Sequence, residues 1–276
     1  MDDIKGYVDK FATFGRPVEY KGLKMEPIVV GDSELFYNVI GVLQIEKNKV
    51  PDVNIIQMSY LEFLLNLIAI DESVLDNTLV LFNMIFGDMY REELLLDDKE
   101  FAPHELYVYT MPNGEQTYSV NGWDIEMKLR DKGAKLIIHG VEISPNEFDE
   151  IRKIIMYQNI FDYRDEEMSE DFRKVVEQYY ALRNRGMHKP TLEEKVMAVI
   201  VNTAYTMEQI EKMPLRTFDA LFQASVSKVD YISSKALEPH LKEGHHIDHW
   251  IYYEEKGKYD GIFKDAESLA KKITSL

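Results

Sequence analysis

The sequence predicts an α+β fold, mostly α-helical, with a central antiparallel β-meander inserted between two helical regions. Three observations lead there. Apolar residues recur at helical spacing before residue 100 and after residue 144. Between Glu105 and Ser144 the period falls to two, in "ELYVYTMPNGEQTYSVNGWDIEMKLRDKGAKLIIHGVEIS". Turn dipeptides punctuate that interval: Asn113-Gly114 and Asn121-Gly122, with Lys132-Gly133 and His139-Gly140 as further candidates. The expected organisation is a helical region with a short β-hairpin over 1–100, the meander over 101–144, and a helical region with an aromatic tail over 145–276. No Pro/Gly/Ser-rich linker separates autonomous domains.

In chain order, "VEYKGLKMEPIVV" alternates around Lys21-Gly22 and predicts a small hairpin, with Gly22 supplying the turn dihedral. "DSELFYNVIGVLQIEKN" places Leu35, Phe36, Val39, Ile40 and Leu43 at helical spacing, with Asp32 or Ser33 as cap. "NIIQMSYLEFLLNLIAI" and "SVLDNTLVLFNMIFGDMY" each read as one helix, with apolar faces so wide that they must pack on each other or on a partner. The meander should contain four or five strands, and Tyr107, Tyr109 and Tyr118 suit a half-buried pleated face. It should end at Ser144, where Pro145 at the first helical position and Glu147 three residues on form a capping box. Further helix starts fall at Thr191 and Thr206. A long helix runs from Pro214 to Leu237, with Phe218, Leu221, Phe222, Ser225, Val229 and Ile232 as its apolar-to-small stripe. A last short helix is expected from Asp265.

Composition limits the function. The chain has 276 residues, 45% hydrophobic and 29% charged, with 17 Tyr and 13 Phe to bury. Its formal net charge of -17 is repelled by phosphate backbones and anionic membranes, so neither a nucleic-acid nor a membrane partner is expected. The one short basic loop, "LRNRGMHKP" with Arg183, Arg185, His188 and Lys189, follows the acidic run "DYRDEEMSED" and reads as a solvated connection. With no cysteine, disulfides, thiolate metal sites and cysteine nucleophiles drop out together, which fits a reducing cytoplasm. "MDDIKGYVDKF" contains no apolar h-region, so no signal peptide is expected. "YLEFLLNLIAI" is too short to span a bilayer.

Catalytic patterns are missing from the sequence. It holds no phosphate-binding G-x-x-x-x-G-K-[ST] loop, no G-x-G-x-x-G, no G-x-S-x-G nucleophile elbow and no H-E-x-x-H. Its 49 carboxylates generate acidic pairs by chance, so "DDKE" and "RDEEMSED" read as solvated faces. One cluster remains. His240, His245, His246 and His249 are four of the seven histidines. In a helix, His245 and His249 would share a face at the spacing of two imidazole ligands, with Asp248 or His240 as third ligand. Gly244 and the extended propensity of Trp250 to Tyr253 oppose that helix, and no general base is located. Structural or interfacial histidines are therefore expected, with no metal and no cofactor.

Partner binding has better material. Trp250, Tyr252, Tyr253, Tyr259 and Phe263 form an aromatic C-terminal segment with turns at Gly257 and Gly261; it packs on its own helices or anchors a partner. Phe218 and Phe222 pose the same choice between core and docking surface.

Three stretches, "VEYKGLKMEPIVVGDSELFYNVIGVLQIEKNKVPDVNIIQMSYLEFL", "MPLRTFDALFQASVSKVDYISSKALE" and "HHIDHWIYYEEKGKYDGIFKD", together resemble proteins from the tail-morphogenesis region of tailed phages infecting Gram-positive bacteria, often described as tail assembly chaperones. The likeness covers roughly half the chain, at its two ends; the interval from Glu105 to Ser144 stands outside it and departs from the family's small, all-helical form. The resemblance implies an acidic, helix-rich cytoplasmic protein that coats the hydrophobic tape-measure protein and recruits tail-tube subunits. The expected function is thus non-enzymatic, through protein–protein contact within an infected bacterial cell, with self-association as a further contact. A structural virion component (head–tail connector or baseplate) is one alternative, and a metal-dependent hydrolase using the His240–His249 cluster another.

Overall fold

The hairpin forms as the alternation requires. Strands β1 (Val18–Tyr20) and β2 (Leu23–Met25) pair antiparallel with Tyr20 opposite Leu23. Only Lys21 and Gly22 connect them, at φ of 53° and 83°, the left-handed pair that makes a two-residue turn match strand twist. Each strand buries its outer residues and exposes its middle one. Before the hairpin comes a helix that alternation and capping signals did not announce, α1 (Ile4–Ala12), whose first turn is closed by Asp3 accepting from the Gly6 amide at 2.7 Å.

The computed structural model describes residues 3–45, 47, 53–87, 106–110, 116–120, 125–130, 133–163, 175, 189–238, 247, 249 and 250. The chain falls into two compact units, Met1–Asp165 with Thr206–Ala220, and Glu166–Tyr205 with Leu221–Leu276. In the first unit the strands Ile125–Arg130 and Gly133–Ile138 pack on helices.

In that unit, the expected helix over "DSELFYNVIGVLQIEKN" is broken into a 3₁₀ turn at Val30–Asp32, α2 (Ser33–Val39) and a second 3₁₀ turn at Ile40–Leu43. Phe36, Val39, Ile40 and Leu43 are buried as expected, whereas Leu35 is exposed. "NIIQMSYLEFLLNLIAI" is also not one helix. It divides into α3 (Val53–Gln57) and α4 (Tyr60–Ile70). The cause is Ser59, which takes an extended backbone and forms a capping box with Glu62, its amide donating to the Glu62 carboxylate at 2.9 Å. A cap satisfies amides that a continuous helix would bond internally, so the break costs little. Helix α5 (Glu72–Phe86) starts at Asp71, which accepts from the Ser73 amide at 2.9 Å.

Strands β3 (Leu106–Thr110), β4 (Gln116–Val120), β5 (Ile125–Arg130), β6 (Gly133–Ile138) and β7 (Val141–Ile143) form one antiparallel sheet in sequence order, the expected meander. His139 and Gly140 make its last turn at φ of 49° and 73°. Gly133 is not a turn residue: it opens β6 opposite Arg130. Asn113-Gly114 and Asn121-Gly122 lie outside the described residues. Leu136, Ile138 and Ile143 are buried, and β6 packs on α4 and on α6 (Pro145–Asn159). Helix α6 begins at the predicted box, with the Ser144 amide donating to Glu147 at 2.7 Å.

An aromatic core joins these elements. Phe148 lies 6.2 Å from Phe82 and 6.4 Å from Tyr60, ring centre to ring centre. The Arg152 guanidinium sits 4.3 Å from the Tyr60 ring centre and donates to the Leu43 carbonyl at 2.7 Å. Burial pushes the Tyr60 phenol up to about 12, against the opposing pull of Arg152. Two buried amides at the end of α6 tie its packing to β2 and the segment that follows it. Gln158 donates to the Met25 carbonyl at 3.0 Å, and Asn159 accepts from the Ile28 amide at 2.8 Å. Helices α7 (Leu192–Asn202) and α8 (Met207–Glu211) start at the Thr191 and Thr206 boxes, and α9 (Leu215–Leu237) covers the predicted long helix.

Candidate docking face on the long helix

Helix α9 is anchored at its start by backbone and charge together. The Leu215 amide donates to the Ile28 carbonyl at 2.7 Å, and Pro214 forms an isolated bridge with Val29. Arg216 donates to the Tyr157 carbonyl at 2.9 Å and to the Asp9 carboxylate at 2.6 Å. Burial raises the Asp9 carboxyl pKa, but hydrogen bonds from Lys5 and Arg216 outweigh it and hold the group below its ordinary value.

Beyond this anchor a seven-residue repeat runs along the helix: Leu215, Phe218, Phe222, Ser225, Val229, Ile232 and Ala236 stand alternately three and four residues apart. Such spacing keeps them on one stripe. Their environments differ sharply. Phe218 is 0% exposed, so of its two expected roles, core or docking surface, it takes the first: it is a core residue of the first unit. Phe222 is half-buried beneath Lys195, whose ammonium lies 5.5 Å from the ring centre, and Ser225 is buried. After that the stripe opens to solvent, with Val229 44% and Ile232 56% exposed. Val226 and Leu237 flank it and are exposed too. An uncovered apolar stripe on a helix whose earlier turns are core is a feature that usually has an occupant.

The chain after α9 returns to the helix at Lys235 and Tyr231. Glu238 pairs with Lys235 at 2.6 Å and accepts from the Ile247 amide at 3.3 Å. The His249 ring lies 4.9 Å from that of Tyr231 and 5.8 Å from that of Trp250, which is half-buried. Tyr231 follows Val229 by two residues, about 200° around the helix, so this return leaves the Val229 side uncovered among the described residues.

No family's sequence model matches the chain, and comparison with curated proteins and with solved structures found no match. Of the other expected partner residues, Tyr252, Tyr253, Tyr259 and Phe263 lie outside the described residues, as do His240, His245, His246 and Asp248 of the histidine cluster, the helix expected from Asp265, and Arg183, Arg185 and His188. Among the described residues, no group of three His, Cys, Asp or Glu side chains could hold a metal, and no helix is long and apolar enough to cross a membrane. Sequence reasoning named Val229 and Ile232 as part of a stripe but missed Val226 and Leu237. The seven-residue repeat was the available signal for the stripe's continuation; nothing local marks where its cover ends.

Proposed function

We propose that this protein works by protein–protein contact and not by catalysis, as a phage tail assembly chaperone in the cytoplasm of an infected bacterium. The observation that carries the reading is the exposure of the distal half of the α9 stripe, around Val229 and Ile232, which no described residue covers. A helix surface of this kind suits an amphipathic helical client, which would lay its own apolar face along it. The acidic charge of -17 fits a protein that keeps a hydrophobic client dispersed, and the likeness of the chain's two ends to tail-morphogenesis proteins supplies the client class, the tape-measure and tail-tube proteins.

Co-expression with the tape-measure and tail-tube proteins of the same phage tests it. At least one should be retained in a pull-down and kept in the supernatant, and Val229→Asp with Ile232→Asp should abolish retention. If neither client is retained, the chaperone reading fails. Detection of the protein in purified virions by mass spectrometry would instead favour a structural virion component.

A further inference from the structure

We infer that the distal half of α9 receives one partner helix whose apolar seam is bordered by carboxylates. The inference rests on the docking-face reading above and adds the chemistry of the occupant.

The stripe sets the shape. A repeat of 3.5 residues drifts about 20° per heptad on a straight helix of 3.6 residues per turn, so its residues stay aligned only against another helix that winds with it. Val229 and Ile232 are β-branched and stiff at χ1, as seam residues that receive knobs from a neighbour commonly are. They stay partly exposed although Leu215 and Phe218, on the same stripe, are buried.

The flanks set the charge. With Val229 and Ile232 on the seam, one border carries Lys228 and Lys235, and the other carries Val226 and Ser233. In a chain of net charge -17, these four bordering positions carry two lysines and no carboxylate. Lys235 already pairs with Glu238, so Lys228, which is exposed, is the residue that discriminates. A second copy of α9 does not complement this edge. Paired parallel, it sets Lys228 against Ser233; paired antiparallel, it sets lysine near lysine, a like-charge contact that disfavours pairing. A helix with Glu at its bordering positions satisfies both seam and edge. The charge effect should appear as a salt-sensitive preference among helices that share one apolar seam.

The probes are three fluorescein-labelled peptides of three heptads each: Leu seam with Glu borders, Leu seam with Lys borders, and a scramble of the first. Each is titrated into the full-length protein by fluorescence anisotropy, at low salt and at high salt. The Glu-bordered peptide should bind at least tenfold tighter than the Lys-bordered one at low salt, with the gap shrinking at high salt, and the scramble should bind least. Lys228→Glu should cut the preference at least fivefold, and Val229→Asp should abolish binding while leaving the circular dichroism unchanged. Equal affinity for Glu and Lys borders, no binding by either, or binding untouched by Val229→Asp overturns the inference. So does a dimer in analytical ultracentrifugation that Ile232→Asp converts to monomer, since the occupant is then a second copy. Peptide binding without retention of any tail protein leaves this inference standing and removes the chaperone reading; the converse removes this inference alone.

Discussion

Phe218 and Val229 belong to one repeat on one helix, so exchanging each for alanine separates core from docking face. Phe218 is 0% exposed, and Phe218→Ala removes a fully buried ring and leaves a cavity, which costs about 3–5 kcal/mol. Val229 is 44% exposed. Val229→Ala removes the equivalent of two methylenes, each worth about 0.8 kcal/mol when buried; with just over half of the side chain covered, the loss is about 1 kcal/mol. For a domain of 150–250 residues each kcal/mol moves the melting temperature by about 2–4 °C. Phe218→Ala should therefore lower it by about 6–20 °C, and Val229→Ala by less than about 4 °C. Differential scanning calorimetry, with urea unfolding followed by circular dichroism, measures both in parallel. The reasoning is refuted if the two substitutions cost the same, because Val229 would then be as much a core residue as Phe218.

Asn159→Ala should cost about 2–3 kcal/mol in urea unfolding, since the Ile28 amide loses its buried acceptor at 2.8 Å and an orphaned buried donor bears its full desolvation penalty; a loss under about 0.5 kcal/mol would contradict that contact. Gly22→Ala should destabilise by about 1 kcal/mol through backbone strain alone, because Gly22 sits at φ of 83° with nothing within 4 Å of an added Cβ. Asparagine at the same position, which tolerates the left-handed region, should recover much of that loss in the same thermal assay. The Asp9 carboxyl titrates below its ordinary 3.8 when folded, so the unfolded chain takes up the proton first. Its stabilisation is complete above the ordinary value and is lost as pH falls through the folded one. The melting temperature should accordingly drop below about pH 4, and Asp9→Asn should remove part of that drop, an effect of about 1 kcal/mol or less for a partly exposed pair; an unchanged acid limb in the variant would refute the Arg216–Asp9 contact.

Much of the fold was legible because its signals are local. The Thr191 and Thr206 hydroxyls accept from the third amide of the following helix, the Ser144 amide donates to Glu147, and a helix begins at each. Lys21-Gly22 and His139-Gly140 are short enough to specify a turn by backbone preference alone. Ser59 and Glu62 carry the same capping signal, but it was masked by an unbroken apolar run that reads as one helix. Helix α1 spans only Ile4–Ala12, and its cap at Asp3 is easy to pass over in so short a segment.

The sequence by itself determined the helix starts at Ser144, Thr191 and Thr206, the turns at Lys21-Gly22 and His139-Gly140, and the apolar-to-small stripe along α9. Only the tertiary structure decided which part of that stripe is core. Phe218 is buried in the first unit, where the neighbouring Leu215 and Arg216 bond to Ile28, Asp9 and Tyr157. Those residues are more than fifty positions away in the chain and leave no mark on the local pattern. The Val229 side meets no such cover among the described residues. Periodicity reports the direction a residue faces along its own helix; what stands opposite depends on distant chain, and that difference separates a buried phenylalanine from an exposed valine.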